Sequence, residues 1–132
     1  MIYVLDSNII IYLLKGDVSV QKRFQESLDN NNSYVIPLIV KYEVQRGLKY
    51  VNATARLKVF EQLCADSLSG EMDQPVWDKA VDLYVYLRGL SRLIEDADLL
   101  IAAFCLIHDC VLVTNNIKHY MDIPDLKLEN WK

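Results

Sequence analysis

The feature that most limits what this chain can fold into is a short apolar run, Met1 to Leu5, that stops at Asp6-Ser7-Asn8 before apolar character resumes over Ile9 to Leu14. A run of that length suits a strand buried on both faces, and Asp, Ser and Asn are favoured helix N-caps. The opening therefore predicts strand, acidic tip, helix. The same alternation continues down the chain. Val18 to Leu28 has helical spacing and ends in the polar turn Asp29-Asn30-Asn31-Asn32, and Tyr34 to Ile36 is a second brief strand closed by Pro37. Leu38 to Tyr50 and Ala53 to about Cys64 read as helices, Asp66 to Met72 as a short strand, and Pro75 is placed to start a helix over Val76 to Leu90.

Ala97 to Ile107 is almost wholly apolar, which predicts a central, buried helix. Cys110 to Val113 follows as a buried strand ending in Thr114-Asn115-Asn116, and Leu126-Lys127-Leu128 is a last short strand. Strands alternating with helices imply an α/β fold with a mainly parallel sheet covered on both faces, whose functional residues lie at the carboxyl ends of the strands. No repeat, linker or low-complexity segment divides the 132 residues, so one domain spanning 1–132 is expected.

Composition narrows the function. The four glycines, Gly16, Gly47, Gly70 and Gly89, are too scattered to cradle a phosphate or dinucleotide. Cys64, Cys105 and Cys110 form no C-x-x-C pair, and with only two histidines they make no zinc spacing, which fits a reduced compartment. No long uncharged apolar stretch and no leader-like N-terminus is visible, so a soluble, cytoplasmic protein without membrane contact is expected. The net charge of −4 gives no general attraction for polyanions, so any such substrate must be met locally. Lys15, Lys41, Arg46, Lys49 and Lys118 lie near the polar motifs and are the candidate phosphate contacts, although each taken singly suits a solvated surface.

The candidate chemistry is acidic. Asp6 stands where a parallel strand delivers its last side chain to the crevice, or it is simply an N-cap. Glu43 sits among Ile39, Val40, Tyr42, Val44 and Leu48 and points either to solvent or into a site. Asp96 and Asp98 open a helix too apolar to be a surface element, and one of them can be a cap or macrodipole partner. Asn116, at the same sheet edge as Asp6, either binds a water on a metal or takes a left-handed turn conformation. Several carboxylates in one crevice raise each other's pKa values and call for a cation, and hard oxygen donors without His or Cys select Mg²⁺, with Mn²⁺ as a substitute. Such a site suits hydrolysis of a phosphodiester.

These residues resemble a known family. Met1 to Lys15 with its Leu5-Asp6-Ser7-Asn8, Tyr42-Glu43, Asp96-Ala97-Asp98-Leu99-Leu100-Ile101-Ala102-Ala103, and Leu112-Val113-Thr114-Asn115-Asn116 followed by Tyr120 and Leu126 to Trp131, resemble PIN-domain proteins. The likeness is strongest to the VapC toxin ribonucleases. The resemblance implies a three-layer α/β/α fold and a Mg²⁺-dependent endoribonuclease cutting structured RNA such as tRNA. It also implies inhibition by a cognate antitoxin, homodimerisation, and contact with operator DNA through the antitoxin. By that resemblance Asp6, Asp98 and Glu43 are the metal residues, Asp96 is a position only sometimes acidic, and Asn116 replaces a fourth acid.

Ser7 or Thr114 is expected to hydrogen-bond the carboxylates or a water on the metal. Two other readings stay open: a PIN-fold regulator acting with a DNA-binding partner without significant catalysis, and a receiver-like protein with Asp6 as phosphoacceptor. Tyr84, Tyr86, Leu83, Leu87 and Leu90 exceed what one helix face needs. They read mostly as core, with an antitoxin or self-association surface as the other possibility. An antitoxin is expected to lay an amphipathic helix into a groove and send a basic side chain toward the acids.

Overall fold

In a computed structural model that describes residues 1–132, the chain forms four short strands and seven helices. β1 (Ile2–Leu5) is followed by α1 (Ser7–Leu14) and α2 (Val18–Asp29), then by β2 (Ser33–Val35). A long helical section follows: α3 (Leu38–Tyr50), α4 (Thr54–Ala65), α5 (Gln74–Gly89) and α6 (Asp96–His108). β3 (Val111–Val113), α7 (Ile117–Tyr120) and β4 (Lys127–Glu129) complete it.

The strands lie in the order β2-β1-β3-β4, and every pair is parallel. Tyr3 faces Tyr34 on one side and Val111 on the other, which fixes the register of the two inner strands. Val4 and Leu5 are both 0% exposed although successive strand residues point to opposite faces, so helices cover both faces of the sheet in an α/β/α arrangement. The order places a topological switch point between β1 and β3: the chain leaves β1 toward β2 and arrives at β3 on the other side. In open parallel sheets that is where a crevice opens at the carboxyl ends.

Helix α6 holds the centre. Leu99, Leu100, Ile101, Ala102, Ala103, Phe104 and Cys105 are all buried, which matches a sequence too apolar to have a wet face. At roughly 1.5–3 kcal/mol for each large side chain removed from water, α6 is the principal apolar anchor for the sheet. It ends at Asp109, whose left-handed φ of 52° provides the C-cap. The C-terminus is tied down as well. Trp131 packs edge-on against Tyr3 at 5.2 Å, and its carbonyl accepts from Ser19 Oγ at 2.7 Å.

Three expectations change. Asp66 to Met72 is not a strand: Leu68 makes a single bridge to Val35, and Ser67 Oγ, rather than a backbone carbonyl, takes the Ile36 N–H at 3.0 Å. Gly70 then lies so close to β2 that a Cβ there would overlap the Ile36 carbonyl, and the segment turns away. The short helix α7 was not expected; its four residues are too few to show a period. On α5, Leu83 and Leu87 are buried, but Tyr84, Tyr86 and Leu90 are about half exposed, so most of that group is surface rather than core.

Candidate active site

A polar cleft of about 490 Å³ opens where the switch point requires. Its chemistry starts from Asp6. The residue follows β1 directly, its N–H donates to the Val113 carbonyl at 3.0 Å, and it is the N-cap of α1, with Oδ1 accepting from the Ser7 N–H at 2.7 Å. Both alternatives for Asp6 are therefore true at once: it caps a helix and faces the crevice. It is only 5% exposed, and Oδ2 accepts from Thr114 Oγ1 at 2.8 Å. Thr114, fully buried at the end of β3, accepts in turn from the Asn116 N–H at 3.0 Å.

Glu43 reaches the same cleft from the middle of α3, and Ser7 Oγ donates to its Oε1 at 2.9 Å. Asp98 arrives from the first turn of α6, where a carboxylate also complements the helix dipole. Asn116, the N-cap of α7, lines the cleft too; its φ of −105° is not left-handed, so the turn alternative falls away. Asp6, Glu43, Asp98 and Asn116, separated by up to 110 positions in sequence, are thus brought together.

Asp96 is not. It is exposed, and it lines a different groove with Trp77, Ala80, Val81, Tyr84, Leu99 and Leu100. Residues two apart on a helix do not face the same way, so the Asp-Ala-Asp sequence divides between two surfaces. The candidate cations are also corrected: Lys15, Lys41, Arg46, Lys49 and Lys118 do not line the cleft. The basic groups that do are Arg92, from the loop after α5, and His119 of α7. Arg92 is held through Nε by Asp122 at 3.0 Å, and His119 Nδ1 lies 3.4 Å from Asp98 Oδ2, an ion pair when protonated. The phosphoacceptor reading of Asp6 called for a lysine or a hydroxyl at the next strand end; no lysine lines the cleft, and the Thr114 hydroxyl is there, bonded to Asp6 itself.

The remaining residues that sequence reasoning missed are Glu95 and Tyr120. Glu95 lines the cleft just ahead of α6. Tyr120 is buried beneath it, its hydroxyl 3.1 Å from Asp98 Oδ1 and 3.3 Å from Asp6 Oδ2. No local signal marks Tyr120, since Asn116 makes no side-chain cap bond and α7 is only four residues long.

Burial pushes the Asp6 carboxyl above the usual carboxylate range; the Thr114 and Ser7 bonds oppose this, and the charge of Asp98 adds to it. Glu43 is raised in the same way, first by burial, with the Ser7 bond opposing and Asp6 and Asp98 adding. The Tyr120 phenol is pushed far up by burial and by the same two aspartates, so it is a neutral O–H donor. The carboxylates of Asp6, Glu43 and Asp98 share one cleft and are hard oxygen donors, the type that suits a hard divalent cation. As the side chains stand, no three Asp, Glu, His or Cys residues are close enough together to hold a metal ion.

A four-stranded parallel α/β/α fold with carboxylates gathered at its switch point defines a class, that of the acid-cleft α/β proteins. The comparisons narrow it. The PIN domain family model matches residues 3–121. Ribonuclease VapC2 of Rickettsia felis is 32% identical, over 99% of this chain and 98% of that protein. Ribonuclease VapC1 of Haemophilus influenzae strain R2866 is 30% identical over the same shares. The crystal structure of VapBC2 from Rickettsia felis bound to a DNA fragment from their promoter superposes with a TM-score of 0.88 and 31% identity, covering all of both chains. The chain belongs to the PIN-domain family, in its VapC branch.

Proposed function

We propose that this protein is a divalent-metal-dependent endoribonuclease toxin, acting as a single domain on structured RNA such as tRNA and neutralised by a cognate antitoxin. The observation that carries the reading is the convergence of Asp6, Glu43 and Asp98 on one cleft at the β1–β3 switch point. Named VapC ribonucleases among its relatives support the reaction class, and a VapBC complex among its structural neighbours supports the partner. A basic antitoxin side chain entering the cleft would meet the same carboxylates. The promoter DNA in that neighbour supports operator contact through the antitoxin, and homodimerisation and a cytoplasmic location complete the proposal.

Asp6, Asp98 and Glu43 would hold the ion, Mg²⁺ or Mn²⁺, with Asn116 contributing a neutral oxygen where a fourth acid would add charge. The chemistry that such an ion supplies is polarisation of a phosphodiester and acidification of an attacking water. The chain's own residues do the rest. Ser7 orients Glu43 and Thr114 orients Asp6, each through one short hydroxyl bond, so the acids meet the cleft in fixed rotamers. Glu43, raised by burial, is suited to accept a proton from water. Arg92 and His119 are placed to meet backbone phosphate at the rim of an otherwise acidic cleft. No helix is long and apolar enough to cross a membrane.

Purified protein incubated with total tRNA and Mg²⁺ should yield discrete fragments, EDTA should abolish them, and Asp6→Asn should yield none. Fragments that persist in EDTA would refute the metal-dependent reading. A native protein that cuts no RNA and arrests no growth, while its antitoxin complex still binds DNA, would favour the non-catalytic regulator.

A further inference from the structure

We infer that Tyr120 is the positioning residue that fixes the Asp98 carboxylate beside Asp6, an inference that rests on the metal-site reading above. Three observations meet at its hydroxyl. It is 1% exposed, at the end of α7 and beneath the cleft. It lies within hydrogen-bond distance of both aspartates, 3.1 Å from Asp98 Oδ1 and 3.3 Å from Asp6 Oδ2. These aspartates are otherwise carried by separate elements, the tip of β1 and the first turn of α6, with no bond between them.

The argument is one of counting. A phenol has one proton to give, and two carboxylate oxygens stand within its reach. Thr114 already donates to Asp6 Oδ2 at 2.8 Å, so the Tyr120 proton goes to Asp98 Oδ1, the nearer and less supplied oxygen. The phenol proton thus fixes the α6 carboxylate, while Thr114 and the Ser7 N–H hold Asp6 beside it. Without that hydroxyl, Asp98 would face the charge of Asp6 with only the exposed His119 beside it. No water can replace the bond without entering the core, because the hydroxyl is enclosed. His119, from the same helix, lies 3.4 Å from the other oxygen, Asp98 Oδ2. Orienting partners of this kind are worth about 10–100-fold in metal affinity or activity.

The test is Tyr120→Phe, which keeps the ring that fills the core and deletes only the hydroxyl, measured beside the native protein and Asp98→Asn. Free Mn²⁺ is followed by electron paramagnetic resonance during titration, and kcat and KM are measured on tRNA. Tyr120→Phe should weaken Mn²⁺ binding about 10–100-fold. It should lower kcat with little change in KM, while its circular dichroism and metal-free unfolding midpoint stay near native. Mn²⁺ affinity within about twofold of native, in a protein where Asp98→Asn abolishes binding, would overturn the role of Tyr120 alone. Failure of the native protein to bind Mn²⁺ would overturn this inference and the metal-site reading together. Should the Phe variant unfold, Tyr120→Met also lacks the hydroxyl while filling the same apolar space, and the same two readouts apply.

Discussion

Two grooves flank the start of α6, and they could hardly differ more. On one side is the cleft with Asp6, Glu43, Asp98 and Asn116. On the other is a shallow apolar groove where Trp77 and Tyr84 of α5, 47% and 48% exposed, face Leu99 and Leu100, with Asp96 at the edge. Asp96 and Asp98 are two residues apart on one helix turn, yet each belongs to a different groove. Asp98 has Tyr120 and His119 beside it, whereas Asp96 has no side-chain partner and stands in the first turn of a helix whose N-cap, Glu95, makes no side-chain cap bond. A carboxylate's surroundings are thus set by which face of the helix carries it, not by its place in a motif.

The largest effect should separate these two residues in catalysis. Asp98→Asn and Asp6→Asn should each lower tRNA cleavage by more than about 100-fold, beyond what loss of an orienting partner costs. Asp96→Asn should stay within about threefold of native, since a charge outside the cleft is screened over its distance by salt. Equal losses at Asp96 and Asp98, from initial rates at saturating Mg²⁺, would erase the distinction. The next effect probes the hydroxyls. Thr114→Val, which keeps shape but removes the shortest bond to Asp6 Oδ2, should reduce cleavage roughly 10–100-fold, and Ser7→Ala should act through Glu43 to a similar or smaller extent.

Stability sharpens the same contrast. Asp6 and Glu43 are raised in the folded state, chiefly by burial, so the folded chain holds their protons more tightly than the unfolded one. Their contribution is complete below the ordinary carboxylate range and is lost as pH rises through the folded-state values. Without divalent ions, Asp6→Asn should therefore gain stability relative to native between about pH 4 and about pH 7 in urea unfolding. A difference that stays flat with pH would contradict the burial argument. The smallest effect is at Asp96: Asp96→Ala should cost roughly 0.3–1 kcal/mol, the worth of an anion at a helix N-terminus, and high salt should erase it.

Much of this was legible in the sequence because the strongest signals were local. The apolar run before Asp6 predicted β1 and its cap, and the unbroken apolar stretch after Asp98 predicted the buried α6. The order of acids along the chain pointed to one crevice, and Ser7 and Thr114 were anticipated as partners of the carboxylates. What escaped was phase and tertiary contact. The helical phase of Asp96 against Asp98 was computable from their spacing, but the family likeness drew both into one site. Arg92 and Glu95 come from a loop whose path depends on how α5 packs on α6. Nothing local separates a half-exposed Tyr84 from a buried Leu83 on a helix so rich in apolar residues.

The central claim, that a divalent ion is shared by carboxylates from the end of β1, α3 and α6, is tested most directly through Glu43, the acid contributed by α3. Mn²⁺ titration of native protein, Glu43→Gln and Asp96→Asn should show one affinity for native and Asp96→Asn and a markedly weaker one for Glu43→Gln, all three with native circular dichroism. Identical binding curves for all three proteins would mean that Glu43 takes no part in holding the ion, and the shared site would have to be abandoned.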